Sequence, residues 1–277
     1  MDKGILYICP TPIGNLEDIT LRTLRVLKEV DLIAAEDTRH TMKLLNHYEI
    51  KKPLISYHEH NKKGKGELLI KKLIEGTNIG LVTDAGMPGI SDPGEDIIGL
   101  AIENGIDIRA LPGATASITG LVISGLPTDK FVFEGFLPSK KKDRIEELKR
   151  LKTEYRTIIL YEAPHRLLDL LRDMEKILGN RNVSISRELT KIYEETFRGT
   201  IGEALNKFKE ERPRGEFVLV IKGEDKVEQN PYENITIEEH IKFYMEKGLT
   251  KKDAVKKVAD LRNVPKNLVY KESIKIQ

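Results

Sequence analysis

Short apolar runs alternate with amphipathic stretches along the first half of the chain. The runs, several of them apolar on both faces, predict five strands at Ile5–Cys9, Leu32–Ala35, Leu54–Tyr57, Ile79–Thr83 and Ile106–Leu111. The stretches between them have a helical period, and Gly76 and Gly105 follow two of them where a left-handed C-cap is expected. Strands separated by helices predict a mostly parallel sheet in an α/β layer structure.

The second half predicts another α/β domain, with a mixed sheet. Strands are expected at Phe131–Leu137, Thr157–Tyr161, Val183–Arg187, Ile192–Phe197 and Glu216–Ile221. Helices are expected at Lys140–Lys152, from Pro164 to Leu178, and after the capping box Thr200-x-x-Glu203, whereas the helix expected at Thr115–Ser124 ends the first domain. These elements place one domain over 1–127 and a second over 128–224, followed by a polar linker over 224–234.

Residues 234–277 have the pattern of a separate helical module. Thr236-x-x-Glu239 and Thr250-x-x-Asp253 are capping boxes that each open a helix. Pro265 suits the first position of a third helix. One face of the second helix is apolar, at Ala254, Val255, Val258 and Leu261. Three short helices with tight turns predict a helix-turn-helix-like arrangement.

Composition narrows the class of protein. The chain has 277 residues and a formal net charge of +2, which fits two domains with an appendage and excludes a histone-like polycation. With Cys9 as its single cysteine, the chain has no intramolecular disulfide and no zinc cluster built on cysteines. The single thiol, the absence of a signal-like start and the absence of a long apolar run favour a cytoplasmic protein without a membrane span.

Three loops rich in Gly and Pro follow predicted strands: Cys9–Asn15, Thr83–Gly94 and Leu111–Ser117. Parallel strands bring such loops to one sheet edge, where open α/β sheets bind ligands. None of the loops matches a Walker loop or a dinucleotide fingerprint, so we expect a ligand without phosphates. Plain connections between strand and helix are the alternative. In the middle loop, Asp92 is expected as the N-cap of the next helix, with Pro93 as its first residue.

Seven motifs, in order along the chain, resemble one family. They are Pro12–Ile19, Ala35–Arg39, Asp84–Gly94, Leu111–Ala114, Glu134–Pro138, Tyr161–Arg166 and Arg187–Lys191. The chain resembles the ribosomal RNA small subunit methyltransferase I group of the tetrapyrrole methylase superfamily, from about residue 5 to 222 and on into the helical tail. Met87 and Gly89 depart from the family pattern, in which Thr and a bulkier apolar residue are expected.

The resemblance implies two α/β domains with S-adenosylmethionine bound in the cleft between them. It also implies 2′-O-methylation of a cytidine in the decoding region of the small-subunit (16S) ribosomal RNA, free or in the 30S subunit, and a homodimer. The residues expected to bind the cofactor are Pro12, Asp84, Gly86, Pro88, Ile90, Ser91, Ala114, Thr115, Ala116, Ser117, Phe136, Tyr161 and Ala163.

The methyl group of a sulfonium is already activated, so alignment supplies much of the catalysis and a base assists the ribose hydroxyl. The catalytic candidates are Glu36, Asp37, Arg39, His40, Glu162, His165, Arg187 and Glu188, and the sequence does not assign the base. Asp37 is equally suited to be the N-cap of a helix from Thr38. Pro164-His165-Arg166 opens a helix that favours an RNA phosphate, unless it is an ordinary first turn. No metal site is predicted, because His58 and His60 have no third ligand.

Two segments carry the positive charge that RNA contact needs. Residues 140–156 hold eight Lys/Arg against four Asp/Glu, and residues 247–277 hold nine against three. Solvated helix faces are the alternative for both segments. Given the resemblance, the tail is expected to contact RNA phosphates. The residues expected to bind RNA are Arg166, Lys191, Lys251, Lys252, Lys256 and Lys257.

Two other functions stay open at this point. A small-molecule methyltransferase of the tetrapyrrole type would leave the basic tail without a role. A non-enzymatic helix-turn-helix protein that binds nucleic acid would leave the Thr83–Gly94 loop unexplained.

Overall fold

A computed structural model describes residues 2–211, 213–225 and 235–276. The chain forms two compact units, Met1–Glu224 and Asp225–Gln277. The first unit contains two five-stranded sheets with their helices, and the described part of the second contains three helices. The boundary predicted at residue 127 falls between a helix and a strand of the first unit and stays a prediction, as does the linker, most of which lies outside the described residues.

The first sheet is parallel throughout, with the strand order β3-β2-β4-β1-β5. Its strands are β1 (Ile5–Ile8), β2 (Leu32–Ala35), β3 (Leu54–Ser56), β4 (Ile79–Val82) and β5 (Asp107–Ala110). Its helices are α1 (Leu21–Glu29), α2 (Thr38–His47), α3 (Lys62–Ile74) and α4 (Glu95–Glu103), whereas α5 (Ala116–Ser124) follows β5 but packs against the second sheet. The five predicted strands are confirmed. The central strand β4 is buried along its whole length, as expected for a parallel sheet with both faces covered.

The second sheet is mixed, as predicted, with the order β6-β7-β10-β8-β9 and one parallel pair, β6 with β7. Its strands are β6 (Phe131–Phe136), β7 (Thr157–Glu162), β8 (Asn182–Arg187), β9 (Glu195–Thr200) and β10 (Phe217–Ile221). Its helices are α6 (Lys141–Leu151), α7 (Leu167–Leu178) and α8 (Ile201–Glu210). Strand β10 lies in the middle, and its alternating side chains join two different apolar clusters.

Three element boundaries in the first unit differ from the sequence prediction. Helix α4 begins at Glu95 with Gly94 as its N-cap, so the capping role predicted for Asp92 is wrong. Helix α7 begins three residues after Pro164, so Pro164-His165-Arg166 is a turn before the helix. Strand β9 begins after Ile192 and Tyr193, which are 94% and 81% exposed in the preceding loop.

The second unit has the predicted three helices, α9 (Ile237–Glu246), α10 (Lys251–Arg262) and α11 (Lys266–Ser273). The capping box at Thr236 is confirmed, Thr250 caps α10 as expected, and Pro265 is the N-cap of α11 instead of its first residue. A small core holds the helices together, and it includes Ile241, Ala254, Val255, Val258 and Val269. Leu261, predicted on the apolar face, is 41% exposed. Within the described ranges, no helix is both long enough and apolar enough to cross a lipid bilayer.

Candidate active site

The three Gly- and Pro-rich loops meet at the carboxyl edge of the first sheet, as predicted. Thr11 and Gly86 form an isolated antiparallel bridge between the first two loops, with N···O distances of 2.9 and 3.1 Å. In the third loop Gly113 lies against Pro10, and a Cβ atom at this glycine would be 2.2 Å from the Pro10 Cγ. A side chain at residue 113 would therefore push two of the loops apart.

A cavity of about 290 Å³ opens between these loops and the second sheet, inside the first unit. It brings together many of the predicted site residues, namely Glu36, Asp84, Gly86, Ile90, Ser91, Thr115, Ala116, Phe136, Tyr161, Glu188 and Lys191. The lining also includes residues that were not predicted, namely Ile13, Ala85, Met87, Asp92, Leu189, Glu216, Phe217 and Val218. Asp92 and Met87 lie inside a recognised motif and could have been found there. Glu216 to Val218 enter through β10, whose central position the sequence does not reveal.

Several predicted residues lie outside the lining of this cavity. They are Pro12, Asp37, Arg39, His40, Pro88, Ala114, Ser117, Glu162, Ala163, His165, Arg166 and Arg187. Asp37 is the N-cap of α2, which confirms one of its two proposed roles, and its carboxylate accepts the Arg39 backbone N–H at 2.8 Å. Hydrogen bonds from Arg39 lower the pKa of Asp37 to about 2.

Glu162 and Arg166 form an internal pair next to the cavity. Glu162 is fully buried, and its Oε1 lies 3.2 Å from the Arg166 Nε and accepts the Ala163 N–H at 2.8 Å. Burial raises the pKa of Glu162. Arg166 also donates to the carbonyl of Leu137 at 2.5 Å, so its guanidinium fixes the loop after β6. Arg187 also has an internal partner, because its guanidinium pairs with Glu195 on the neighbouring strand β9.

Five carboxylates surround the cavity, and they are Glu36, Asp84, Asp92, Glu188 and Glu216. Among the described lining residues the sole cation is Lys191, whose Nζ lies 3.1 Å from the Glu188 Oε1. Burial, followed by repulsion from Glu36, Asp84 and Glu216, raises the pKa of Asp92 to about 7. Burial also raises the pKa of Glu36. The cavity thus holds more negative charge than its own residues neutralise, which favours a cationic ligand.

Backbone groups hold the central carboxylates in place. The Asp84 N–H donates to the Glu36 Oε2 at 3.4 Å, and the Asp37 N–H donates to the Asp84 Oδ1 at 3.1 Å. Glu36 is the first residue after β2 and Asp84 the second after β4, and these two strands are neighbours, so the sheet itself sets the spacing of the two carboxylates. Asp84 therefore presents its second oxygen from a fixed position.

The second sheet supplies an aromatic wall. The Tyr161 hydroxyl accepts the Ser117 N–H at 2.9 Å, and its ring packs edge-on against Phe136 with centroids 5.5 Å apart. A bulge at Gly135, which has a φ of +59°, brings β6 against Ser91. Thr115, the N-cap of α5, makes no capping bond with its side chain. The first turn of this helix, where Thr115 and Ala116 line the cavity, therefore keeps backbone N–H donors in addition to the Ser117 N–H that Tyr161 binds.

Three residues at or next to the cavity adopt left-handed backbone conformations although they are not glycine. They are Ser91, Glu188 and Thr190, with φ of 64°, 53° and 66°. Such conformations cost about 1 kcal/mol or more each and occur where the surrounding structure imposes them, often at ligand sites. Among the described residues, no group of three His, Cys, Asp or Glu side chains is placed to hold a metal ion. The cavity suits an organic ligand with positive charge, one anionic group and a flat ring.

Comparison with known sequences finds one matching family model and close relatives that share one name. A family model described as the tetrapyrrole (corrin/porphyrin) methylases matches residues 5–205. Ribosomal RNA small subunit methyltransferase I of Halalkalibacterium halodurans is 53% identical over 272 residues, which cover 97% of this chain and 94% of that protein. The protein of the same name from Escherichia coli O157:H7 is 46% identical over 279 residues, covering 99% and 96%. A third, from Thermotoga maritima, is 49% identical over 222 residues, which span its whole length but 80% of this chain.

Solved structures share the fold at low identity. Uroporphyrin-III C-methyltransferase from Thermus thermophilus, complexed with S-adenyl homocysteine, has a TM-score of 0.56 and 17% identity, covering 80% of this chain and 98% of that chain. A diphthine synthase has a TM-score of 0.61 and 13% identity, covering 79% and 90%.

Proposed function

Since the chain belongs to the tetrapyrrole (corrin/porphyrin) methylases, and within them to the ribosomal RNA small subunit methyltransferase I group, we propose that it methylates small-subunit ribosomal RNA. The observation that carries the proposal is identity of 46–53% to relatives of that name over almost the full chain. The resemblance of the seven motifs supports a finer assignment, in which S-adenosylmethionine is the donor and the acceptor is the 2′-hydroxyl of a cytidine in the decoding region.

The cavity fits this cofactor by its chemistry. S-adenosylmethionine carries a sulfonium and an ammonium, and Asp84 and Asp92 offer carboxylates to such cations. The free donors at the start of α5 suit its carboxylate, and the wall formed by Phe136 and Tyr161 suits a flat purine. When bound, the cofactor supplies a methyl group on an activated sulfonium. It has no phosphate, which agrees with the absence of a Walker loop in the sequence.

The chain's own residues then have two tasks. The first is to hold the acceptor hydroxyl in line with the methyl group, which the fixed loops and the aromatic wall provide. The second is to accept the hydroxyl proton, and a carboxylate of the cavity is suited to this. Of the predicted bases, Glu36 and Glu188 line the cavity, whereas Glu162 and His165 do not. We therefore assign the proton acceptor to the cavity carboxylates.

Transfer of a labelled methyl group to unmodified small-subunit RNA, free or assembled into 30S subunits, tests the proposal. We expect one labelled cytidine and a linkage resistant to alkali at that position, because alkaline cleavage needs a free 2′-hydroxyl. The matched control is the same RNA with 2′-deoxycytidine at the labelled position, which is expected to accept no methyl group. Absence of transfer to either form of the RNA would disprove the proposed function, and transfer to the deoxy control would disprove the 2′-O assignment alone.

We also propose that the protein acts as a homodimer in the cytoplasm, where ribosomal subunits are modified. Ile118 and Val122, one turn apart on α5, are 43% and 69% exposed, which supports a face that a second copy covers. The molar mass in solution, measured by light scattering, tests the dimer.

A further inference from the structure

A groove lies between α10 and α11 of the second unit. Its volume is about 500 Å³. Val255 lies at its floor, and its walls include Lys251, Lys252, Lys266, Tyr270 and Ile274. No acidic residue belongs to this described lining. The groove is therefore positively charged on both sides, in contrast to the cavity of the first unit.

The lysines of this unit differ in what surrounds them. Lys242 forms an ion pair with Glu238 on α9, and Lys275, which follows the end of α11, forms one with Glu272. Lys247 lies over the ring of Phe243, and Lys257 over that of Tyr244, with Nζ at 4.2 and 4.8 Å from the centroids. Each of these four ammonium groups already has a partner. Lys257 is among the lysines that the sequence predicts to bind RNA, but its ammonium faces an aromatic ring.

Of the three groove lysines, one has a hydrogen-bond partner and two have no ion pair with the described residues of this unit. Lys251 donates to the carbonyl of Ile276 at 2.7 Å and so ties the end of the chain to the start of α10. Lys252 and Lys266 have no ion pair within residues 235–276 as described, and both are exposed. Asp253, the acid nearest to Lys252 in sequence, bonds to Thr250 at the helix cap. These two ammonium groups are therefore available to an external anion.

The groove also exposes apolar surface. Tyr270 on α11 and Ile274, the C-cap of that helix four residues later, are 60% and 67% exposed. The packing of α11 instead involves Val269, the residue before Tyr270, which is fully buried in the small core of this unit. An exposed aromatic ring next to uncompensated lysines is the combination that binds single-stranded nucleic acid, in which bases stack on the ring and phosphates meet the cations.

We propose that this groove holds a single-stranded segment of the RNA substrate, with phosphates at Lys252 and Lys266 and one base stacked on Tyr270. The inference rests on the proposed function, because RNA is the acceptor there. The relative from Thermotoga maritima, also called ribosomal RNA small subunit methyltransferase I, has 222 residues. That length is about that of the first unit alone. The groove thus adds affinity for RNA and takes no part in methyl transfer itself.

Charge reversal in the full-length chain tests the phosphate contacts. We expect Lys252→Glu with Lys266→Glu to weaken binding of a single-stranded RNA about 10- to 100-fold, and to reduce the slope of log Kd against log salt by about 1.4. The matched control, called the α9 control, is Lys242→Glu with Lys247→Glu, which makes the same change in net charge on α9 and at its C-cap. This control is expected to keep most of the affinity and the slope.

Stacking is tested at Tyr270. Tyr270→Ala is expected to weaken binding roughly 5- to 150-fold, whereas Tyr270→Phe keeps the ring and the affinity. A blunt RNA duplex of the same length, whose bases are already stacked, is expected to bind more weakly and to be insensitive to Tyr270→Ala. Thermal melting of each variant checks that the unit is folded.

Each outcome decides a separate point. Equal losses of RNA affinity in the groove variant and in the α9 control would overturn the proposal, because they would show that RNA is attracted by the net charge of the unit and not by the groove. Unchanged affinity in the groove variant and in Tyr270→Ala, with an RNA-binding wild type, would overturn it as well and assign the groove to a partner other than RNA. Cofactor binding and methyl transfer by the wild type are measured alongside. If the wild type neither binds the cofactor nor transfers a methyl group, the proposed function is disproved. If it does both, but the groove variants bind RNA as the wild type does, this inference alone is disproved.

Discussion

The cavity of the first unit and the groove of the second are opposite in charge. Five carboxylates surround the cavity, where Lys191 is paired, whereas the described lining of the groove holds three lysines and no acidic residue. The nearly balanced net charge of +2 hides this separation. The difference teaches that the two proposed sites have opposite charge requirements and lie in separate units, so under these proposals a change in one leaves the other intact.

The strongest test of this separation is removal of residues 225–277. The remaining first unit is expected to bind small-subunit RNA about 100-fold more weakly, because several phosphate contacts are lost. Its dissociation constant for S-adenosylmethionine is expected to change by less than about twofold, since independent sites behave additively. Filter binding and calorimetry measure the two values, and a matching loss of cofactor affinity would show that the units are not independent.

Asp84→Asn tests the cavity itself. Loss of the charge is expected to weaken cofactor binding about 10- to 100-fold, because the carboxylate no longer offers a charge-assisted hydrogen bond, while the amide oxygen still accepts the Asp37 N–H. The control is Asp107→Asn, an exposed carboxylate on β5 that pairs with Arg109. A dissociation constant unchanged by Asp84→Asn, read by calorimetry, would remove Asp84 from the site.

The pH dependence of cofactor affinity tests the acidic character of the cavity. A cation binds the ionised form of Asp92, and with a pKa of about 7 the ionised fraction grows as the pH rises. Affinity for S-adenosylmethionine is therefore expected to increase up to about eightfold between pH 6 and pH 7.5. Asp92→Asn is expected to flatten this rise while other titrating groups stay as they are. A rise that persists in Asp92→Asn would assign it to another group.

The smallest expected effect is at the aromatic wall. Tyr161→Phe removes the acceptor for the Ser117 N–H but keeps the ring against Phe136. We expect a loss of about 1 kcal/mol in the free energy of unfolding and a change of a few-fold in cofactor affinity. Denaturant unfolding and calorimetry provide both values. A loss of cofactor affinity as large as that of Asp84→Asn would mean that shape, and not charge, dominates the cavity.

The sequence predicts those parts of the fold that depend on local patterns. The apolar run Leu32–Ala35 is strand β2 with the bounds predicted for it, and Thr200 and Thr236 cap helices as their motifs indicate. Ile192 and Tyr193 also form an apolar pattern, yet they lie exposed in a loop. Glu188 and Thr190 adopt left-handed backbone conformations and turn the chain before this segment. The spacing of apolar residues in the sequence does not indicate such a turn.

The candidate site was only partly predictable for the same reason. Asp84 and Glu36 lie in motifs at the ends of parallel strands, where the topology alone brings them together. Asp92 has the spacing of an N-cap, but the helix begins after Gly94, which leaves its carboxylate free to face the cavity. Glu216 precedes a strand whose neighbours are distant in sequence, and such pairing is a property of the whole sheet.

The position of β10 also decides when the site forms during synthesis. This strand is the last of the first unit to leave the ribosome, yet it pairs with β7 on one side and β8 on the other. Until residue 221 has emerged, both neighbours have unpaired backbone groups along a seam in the sheet. Phe217 and Val218 of the cavity wall arrive with the same strand. Because chains fold from the N-terminus as they are made, a nascent chain has the loops of the site early but closes it only when the first unit is complete.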